Sequence, residues 1–213
     1  MLRVAEWHNE VIGKKVVENL KKNGFDAFYY SEREKAVEHV LSFISSGIKV
    51  GIGGSMTLKE LNIPDRAALK GADVLDHNTP GLSREEKWEI RRQQLICDLF
   101  LSGTNAITLD GYLVNVDGVG NRVAAMTFGP KKVVIVAGMN KICRDVEAGF
   151  ERIKSIASPR NNKRLSIANP CILNGVCTDC QGETRICRIY SVIKKKPMDT
   201  DITVVLIGED LGY

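Results

Sequence analysis

The chain has 213 residues, of which 44% are hydrophobic and 26% are charged. A domain commonly takes roughly 100–200 residues, so we predict one large domain or one domain with a small appendage. The composition is close to the globular average and excludes a disordered chain, a coiled-coil rod and a collagen-like fibre. The longest strongly apolar run extends only from Val133 to Met139, whereas a membrane span needs about twenty apolar residues.

The charge balance and the start of the chain narrow the class of protein further. Thirty basic residues against 26 acidic ones give a net charge of +4, and the excess is scattered. Nucleic-acid-binding proteins carry a concentrated basic stripe, so we expect no nucleic-acid partner. The segment from Met1 to Lys15 carries charges throughout and lacks the apolar core of a signal peptide. We therefore expect a cytoplasmic protein with no membrane partner.

The first part of the chain alternates helical and strand-like patterns. Apolar residues recurring every three or four positions predict helices, and short apolar or aromatic runs bounded by turn residues predict strands. Ser31 and Glu34 form a capping-box pattern at the start of the second predicted helix. In chain order, the elements are a helix over 4–22, a strand over 25–30, a helix over 31–46, a strand over 48–52, a short helix over 58–61 and a strand over 74–76.

The rest of the chain continues this alternation around one hairpin. Ser83 begins the longest predicted helix, which Gly103 ends. Asp110-Gly111 separates two apolar runs, which is a strong hairpin signal. Ser158-Pro159 is predicted to end the helix over 145–156. The elements are a helix over 83–103, strands over 105–110 and 112–116, a short helix over 118–126, a strand over 132–137, a helix over 145–156 and a strand over 202–207.

The order of these elements predicts the fold class. Helices alternate with buried strands, which is typical of an α/β fold with a mostly parallel sheet. No internal repeat and no low-complexity linker divides the sequence. We therefore expect a single α/β domain over 1–213, with a cysteine-rich loop insertion at about 159–198.

A glycine-rich turn follows the strand over 48–52. Gly53 and Gly54 would let the backbone approach a ligand closely, and Ser55 and Thr57 add hydroxyl donors. The helix that follows would present unpaired N–H groups to an anion. The alternative is a tight strand-to-helix turn with Ser55 as its cap, and both interpretations stay open.

A second polar segment follows the hairpin. Its glycines would form a nest of N–H groups facing an anion, and Arg122 would clamp a carboxylate or phosphate. Turn chemistry alone explains Asp110-Gly111 but explains the other polar residues less well. The candidate ligand-binding residues of this segment are Asn115, Asp117, Gly118, Gly120, Asn121 and Arg122.

Four of the six cysteines lie close together in sequence: Cys171, Cys177, Cys180 and Cys187. In a cytosolic chain of this length, clustered thiols favour a metal or redox site over a disulfide framework. Thiolates are soft ligands that suit zinc or an iron–sulfur cluster, although this spacing matches neither ferredoxins nor zinc ribbons. A Cys177–Cys180 redox pair and purely structural thiols are the alternatives.

Other motifs carry less information. His77 follows a predicted strand, where α/β sites gather, but a structural role is the expected one. The sequence contains no flavin- or nicotinamide-binding fingerprint and no nucleophile elbow. We therefore expect no flavin, no nicotinamide cofactor and no hydrolase triad.

Three stretches of the chain resemble the LUD-domain family of lactate-utilisation proteins, namely 51–58, 102–142 and 169–213. The cysteine-rich tail is similar to that of small stand-alone members. The resemblance implies a three-layer α/β sandwich around a mostly parallel sheet, similar to the group of sugar-phosphate isomerases, CoA-transferases and folate cyclo-ligases. By the same analogy, one pocket would join Gly53–Thr57 with Asp117–Arg122, and a homodimer is expected.

Three functional hypotheses follow. The resemblance implies an accessory or subunit in the oxidation of L-lactate to pyruvate, beside iron–sulfur oxidoreductase subunits and with a small anionic ligand. The second hypothesis is an independent transferase or ligase that binds a phosphorylated ligand, a nucleotide or CoA. Asp110, Asp117 and Glu209 are its candidates for acid–base work. The third is a binding module that senses ligand or redox state without turnover.

Overall fold

The computed structural model describes residues 4–213, which form ten strands and nine α-helices. The strands are β1 (Asp26–Tyr30), β2 (Lys49–Ile52), β3 (Asp73–Leu75), β4 (Leu99–Ser102), β5 (Ala106–Thr108), β6 (Leu113–Asp117), β7 (Lys132–Gly138), β8 (Ile142–Cys143), β9 (Ile189–Ile193) and β10 (Asp201–Ile207). The helices are α1 (Val4–Lys22), α2 (Arg33–Ser42), α3 (Met56–Glu60), α4 (Ile63–Leu69), α5 (Arg84–Gln94), α6 (Asn121–Thr127), α7 (Val146–Arg152), α8 (Ser158–Arg164) and α9 (Cys171–Asn174).

The strands form two sheets. The central sheet has six strands in the order β1-β10-β7-β4-β2-β3, and all its neighbours are parallel. The second sheet has the order β8-β5-β6-β9 and contains the predicted hairpin as the antiparallel pair β5–β6. This architecture confirms the predicted α/β fold with a mostly parallel central sheet flanked by helices. None of the helices within residues 4–213 combines the length and the apolar character of a membrane span.

The core lies on both faces of the central sheet, as the sequence of β7 requires. Successive side chains of a strand point to opposite faces, and those of β7 are apolar on both. Val133 and Ile135 belong to the apolar cluster that α1 and α6 cover. Val134 and Val136 belong to the cluster that α2, α3 and α4 cover. Burial on both faces is the normal state of a parallel sheet, and it gives the fold three layers.

The predicted helix over 83–103 is wrong in its second half. Helix α5 ends at Gln94, and Leu99–Ser102 is the fully buried strand β4 between β7 and β2. A short apolar run has the same pattern in a buried strand as in a buried helix, so periodicity could not separate the two. The structure forms a complete capping box at the start of α5, where Ser83 Oγ accepts from Glu86 N at 3.1 Å.

Two other helix boundaries differ from the prediction. Helix α2 begins after Glu32 without a side-chain cap and ends at Ser42, so Ser31 and Glu34 form no capping box. The chain does not break at Ser158: a π-helical turn over Ile153–Ala157 leads directly into α8. Proline is compatible with the first turn of a helix, where its missing N–H has no partner to lose. The division into one domain with an insertion at about 159–198 stays a prediction.

Candidate functional site

The topology of the central sheet opens a crevice between β2 and β4. After β2, the next strand of the central sheet is β3, which lies on one side of this strand pair. After β4, the next strand of this sheet is β7, which lies on the other side. The two connections diverge at the carboxyl ends of these strands, which is where ligands bind in open α/β sheets. A cavity of about 250 Å³ lies there, lined by segments that follow both strands, including Gly53, Gly54 and Gly103.

The glycine turn after β2 and the end of β4 approach each other too closely for side chains. A Cβ on Gly53 would lie 2.6 Å from Ser102 Oγ, and one on Gly103 would lie 2.7 Å from Ser55 Oγ. Gly54 adopts a left-handed φ of +71°, which favours glycine. Ser55 caps α3 by accepting from Leu58 N at 3.3 Å. The turn is therefore the tight strand-to-helix turn that the sequence offered as one interpretation, and it also lines the cavity.

Arg122 is held by protein oxygen atoms rather than left free to clamp a ligand. It donates to Asn115 Oδ1 at 2.6 Å, to Asn105 Oδ1 at 3.0 Å and to Val116 O at 2.9 Å. Asp117 Oδ2 lies 3.6 Å from Arg122 Nε. Burial lowers the pKa of Arg122, and the charge of Asp117 opposes that shift. The guanidinium thus joins the hairpin to α6 and places a buried positive charge in the cavity wall.

The predicted nest of N–H groups is occupied by a side chain of the same loop. Asp117 Oδ1 accepts from Val119 N and Gly120 N, both at 3.2 Å, and Oδ2 accepts from Val123 N at 3.3 Å. Gly118 passes close to Ile186, where a Cβ would lie 3.0 Å from the carbonyl oxygen. The carboxylate therefore stabilises the loop.

The cavity brings together some of the predicted site residues and leaves others outside its lining. Asp110 lies on the exposed hairpin turn, and Glu209 accepts from Arg33 Nε at 2.9 Å elsewhere on the surface. Neither lines the cavity. The predicted residues that line it are Gly53, Gly54, Ser55, Asp117, Gly118, Asn121 and Arg122. Those that lie outside its lining are Thr57, Asn115 and Gly120.

Basic side chains dominate the charge of the cavity. Asp117 is the only acidic side chain among its lining residues in the described chain, whereas the basic ones are Arg91, Arg122, Lys141 and Arg164. Arg91 extends from the last turn of α5, and its Nε is buried with no hydrogen-bond partner within residues 4–213. A buried charged donor without an acceptor is costly, so this guanidinium is suited to an anion that the cavity would hold.

Lys141 is a second buried basic group of the site. It lies in a 3₁₀ turn directly after β7, is only 3% exposed, and donates from Nζ to Thr57 Oγ1 at 2.8 Å. Burial lowers its pKa to about 7, with further lowering by the charges of Arg152 and Arg122, while Glu60 opposes the shift. The amine therefore exchanges its proton near neutral pH, which an ordinary lysine does not do.

His77 lies at the cavity beside the carboxyl end of β3. Its Nδ1 is 3.1 Å from Gln94 Nε2, and the two hydrogens of this buried amide go to Ile52 O and Leu75 O. Burial lowers the pKa of His77, and the charge of Arg91 lowers it further. The imidazole in the cavity wall is therefore neutral at physiological pH.

The cysteine-rich loop borders the same cavity. Cys187 lines it, and Cys187 Sγ donates to Ser158 Oγ at 3.2 Å. Arg185 joins the ends of the loop, since it donates to Cys180 O at 2.8 Å and to Cys187 O at 2.7 Å. Burial raises the pKa of Cys171, and the other three thiols of the loop raise it further. Within residues 4–213, however, no three cysteine, histidine or acidic side chains are arranged as ligands of a metal ion.

Comparison with known proteins assigns the family. The sequence model of the LUD domain matches residues 13–207, which is most of the chain. The chain belongs to the LUD domain family. This family is associated with lactate utilisation, in agreement with the resemblance noted from the sequence. No protein of curated function matches the chain.

One solved structure supports the fold of this LUD domain, and two others are similar over about half of the chain. A DUF162 family protein from Deinococcus radiodurans is similar with a TM-score of 0.54 at 16% identity, over 93% of this chain and 98% of that chain. Ribose 5-phosphate isomerase from Plasmodium falciparum is similar over 53% of this chain and 52% of its own, with a TM-score of 0.33 at 19% identity. For eIF2B delta from Chaetomium thermophilum the shares are 53% and 48%, with a TM-score of 0.37 at 19% identity.

Sequence reasoning missed two basic groups of the cavity, Arg91 and Lys141. Arg91 lies in a strongly charged helix, where an arginine normally faces solvent, so its sequence context carries no signal. Lys141 had a usable signal, because it is the first basic residue after β7, a strand with a long apolar run. Charged residues directly after a central parallel strand lie at the edge of the sheet where ligands bind.

The perturbed pKa of Lys141 predicts a pH dependence of stability. Because the folded protein binds this proton more weakly than the unfolded chain, the cost of burying the charge is fully present below about pH 7 and is relieved as pH rises toward the ordinary lysine pKa of 10.5. The free energy of unfolding should therefore rise between about pH 7 and pH 9, with a slope of at most about 1.4 kcal/mol per pH unit.

Chemical denaturation across this pH range measures the free energy of unfolding of the wild type and of Lys141→Met. The free energy should rise less steeply with pH in Lys141→Met. Lys131→Met is the matched control, because Lys131 is exposed and its ion pair with Asp98 raises its pKa. Lys131 stays protonated in the folded and the unfolded chain over this pH range. Lys131→Met should therefore keep the wild-type rise of the free energy of unfolding with pH. Parallel stability curves for wild type and Lys141→Met would contradict a perturbed amine at this position.

Proposed function

We propose that this LUD domain binds a small carboxylate in the cavity between β2 and β4, as a subunit or accessory of a system that oxidises L-lactate to pyruvate. The observation that carries the proposal is the buried Nε of Arg91, which has no acceptor within the described residues. A carboxylate is the natural partner of a guanidinium, since the two form short, charge-assisted hydrogen bonds. The association of the family with lactate utilisation supports the choice of acid.

The charge of the cavity supports an anion independently of Arg91. Asp117 is already bonded to three backbone N–H groups and lies beside Arg122, so it does not neutralise the other basic side chains. The volume of about 250 Å³ is at the small end of ligand pockets and suits a compact acid. A phosphorylated ligand, a nucleotide or CoA, as an independent transferase or ligase would bind, is the competing occupant.

The wider biological context belongs to the same proposal. We include a cytoplasmic location, as expected from the sequence, and a homodimeric state, which is common for this kind of fold. We also include docking to iron–sulfur oxidoreductase subunits, which the resemblance to lactate-utilisation proteins implies. Gel filtration with light scattering gives the oligomeric state, and co-purification with the products of neighbouring genes reports the partners.

Calorimetric titration with L-lactate and pyruvate tests the ligand. We expect both acids to bind the wild type and to bind Arg91→Gln roughly 10- to 100-fold more weakly, because a hydrogen bond to a charged group is worth about 1.5–3 kcal/mol. Arg92→Gln is the matched control: it removes the same charge from the next residue of α5, where the side chain is 68% exposed and outside the cavity lining.

The same binding titrations can contradict the proposal. If neither acid binds a folded sample, or if Arg91→Gln and Arg92→Gln weaken binding equally, the carboxylate site is wrong. Parallel titrations with inorganic phosphate, sugar phosphates, nucleotides and CoA identify the competing occupant. Tight binding of one of these, with no response to lactate or pyruvate, favours the independent transferase or ligase.

We propose in addition that Cys171, Cys177, Cys180 and Cys187 bind zinc or an iron–sulfur cluster. Four thiols in one loop are the donor set that such groups require. Burial raises the pKa of Cys171 and of Cys187, and the charges of other thiols in the loop raise both further, which supports a loop that brings the sulfur atoms near one another. Bound metal would deprotonate the thiols and fix the loop, and a cluster would also accept and release single electrons.

Anaerobic purification followed by metal analysis and a visible spectrum tests this loop. We expect bound zinc or iron in the wild type, lost when Cys177 and Cys180 are both replaced by serine. Cys143→Ser is the control, because this thiol lies on β8 outside the loop and should leave the metal content unchanged. A metal-free wild type would overturn the metal site, and a reversible Cys177–Cys180 disulfide in that sample would favour the sensing module.

A further inference from the structure

The amine of Lys141 is held in the cavity wall without an ionic partner. Among residues 4–213 no carboxylate forms an ion pair with Nζ, and its hydrogen bond goes to the hydroxyl of Thr57. Lysine is almost never fully buried unless it is paired with an opposite charge. A lone buried lysine that faces a ligand cavity therefore calls for a role beyond packing.

The hydrogen bonds around Lys141 leave the lone pair of a neutral amine available. Thr57 Oγ1 has one hydrogen, which it donates to Leu211 O at 3.3 Å. Thr57 must then accept from Lys141 Nζ, at 2.8 Å, rather than donate to it. The contact consumes an N–H of the amine and orients it, while the nitrogen lone pair stays free for attack on an electrophile.

The surroundings keep a large share of this amine neutral at physiological pH. Burial, Arg152 on α7 and Arg122 on α6 all favour loss of the proton, and Glu60 on α3 is the charge that opposes them. Lysines activated by burial beside another cationic group are the ones that attack carbonyl carbons. The same cavity wall carries Arg91, whose unpartnered Nε is suited to a carboxylate.

We propose that Lys141 is a nucleophile that forms an imine with the carbonyl carbon of a 2-oxo acid bound in this cavity. This inference rests on the proposed carboxylate site and names the substrate class of that site. A 2-oxo acid places a carbonyl carbon directly next to its carboxylate, so one compact molecule offers both an anion and an electrophile. A 2-hydroxy acid would bind the same site without reacting.

The step needs no further reactant. The nitrogen lone pair forms a C–N bond to the carbonyl carbon, and the C=O π pair moves to oxygen, which takes a proton from the nitrogen. In the resulting carbinolamine, the nitrogen lone pair forms the C=N bond as the hydroxyl group departs, and this group takes the remaining proton of the nitrogen and leaves as water. One amine and one 2-oxo acid thus give one imine and one water, with no change in oxidation state.

Borohydride trapping tests the proposal. Wild-type protein is incubated with pyruvate and sodium cyanoborohydride, which adds hydride to the imine carbon and makes the bond permanent. We expect intact-mass analysis to show one reduced adduct per chain, and peptide mapping to place it on Lys141. L-lactate should suppress the adduct by competition, and the rate of trapping should rise as the solution passes through neutral pH.

Two variants provide the controls. Lys141→Met should lose the adduct, whereas Lys131→Met, which removes a lysine that is 79% exposed at the opposite end of β7, should keep it. Peptide mapping of the wild type decides the matter even where Lys141→Met fails to fold. No adduct, or adducts spread over surface lysines and retained in Lys141→Met, would overturn the proposal.

Calorimetry separates this inference from the proposed function. Pyruvate that binds in the absence of borohydride but yields no adduct on Lys141 overturns the imine and leaves the carboxylate site standing. Failure of pyruvate alone to bind overturns the imine, and failure of both pyruvate and L-lactate to bind overturns the carboxylate site itself.

Discussion

Four basic side chains line the cavity between β2 and β4, and Asp117 is the one acidic side chain among the described lining residues. Burying charge away from water is costly unless the charge is paired or hydrogen-bonded. The structure meets that cost differently for three of these groups. Arg122 receives a set of protein oxygen atoms, Lys141 loses its proton readily, and Arg91 Nε has no partner among the described residues. We propose that an outside anion binds at Arg91.

The parallel sheet explains why these groups meet. The divergence of the connections after β2 and β4 opens the crevice, and the glycine turn after β2 lets the two loops approach closely. The cysteine-rich loop reaches the same place from the far end of the chain, where Cys187 contacts Ser158 at the end of the π-helical turn. A ligand in the cavity and any group held by the loop would therefore be neighbours.

The sequence was sufficient for the architecture and for part of the site. Alternating helices and apolar strands predicted the α/β fold, and Asp110-Gly111 predicted the hairpin between β5 and β6. It failed at Leu99–Ser102, because a short apolar run is equally compatible with a helix and a buried strand until its neighbours are known. The pairing of β4 between β7 and β2 is a tertiary fact that no local pattern carries.

The chemistry of individual site residues was harder to predict for a related reason. Arg122 and Asp117 were found as polar residues near glycines, but their roles depend on partners brought from the hairpin and from α6. Arg91 was missed because its burial depends on the tertiary structure and not on its own strongly charged helix. Asp110 and Glu209 carry suitable side chains but lie outside the cavity lining.

Crystal structures of the protein grown separately with pyruvate and with L-lactate test the carboxylate site. We predict a carboxylate within hydrogen-bond distance of the Arg91 guanidinium in both, in the crevice between β2 and β4. An empty crevice at saturating acid, with Arg91 Nε bonded instead to the protein, would contradict it.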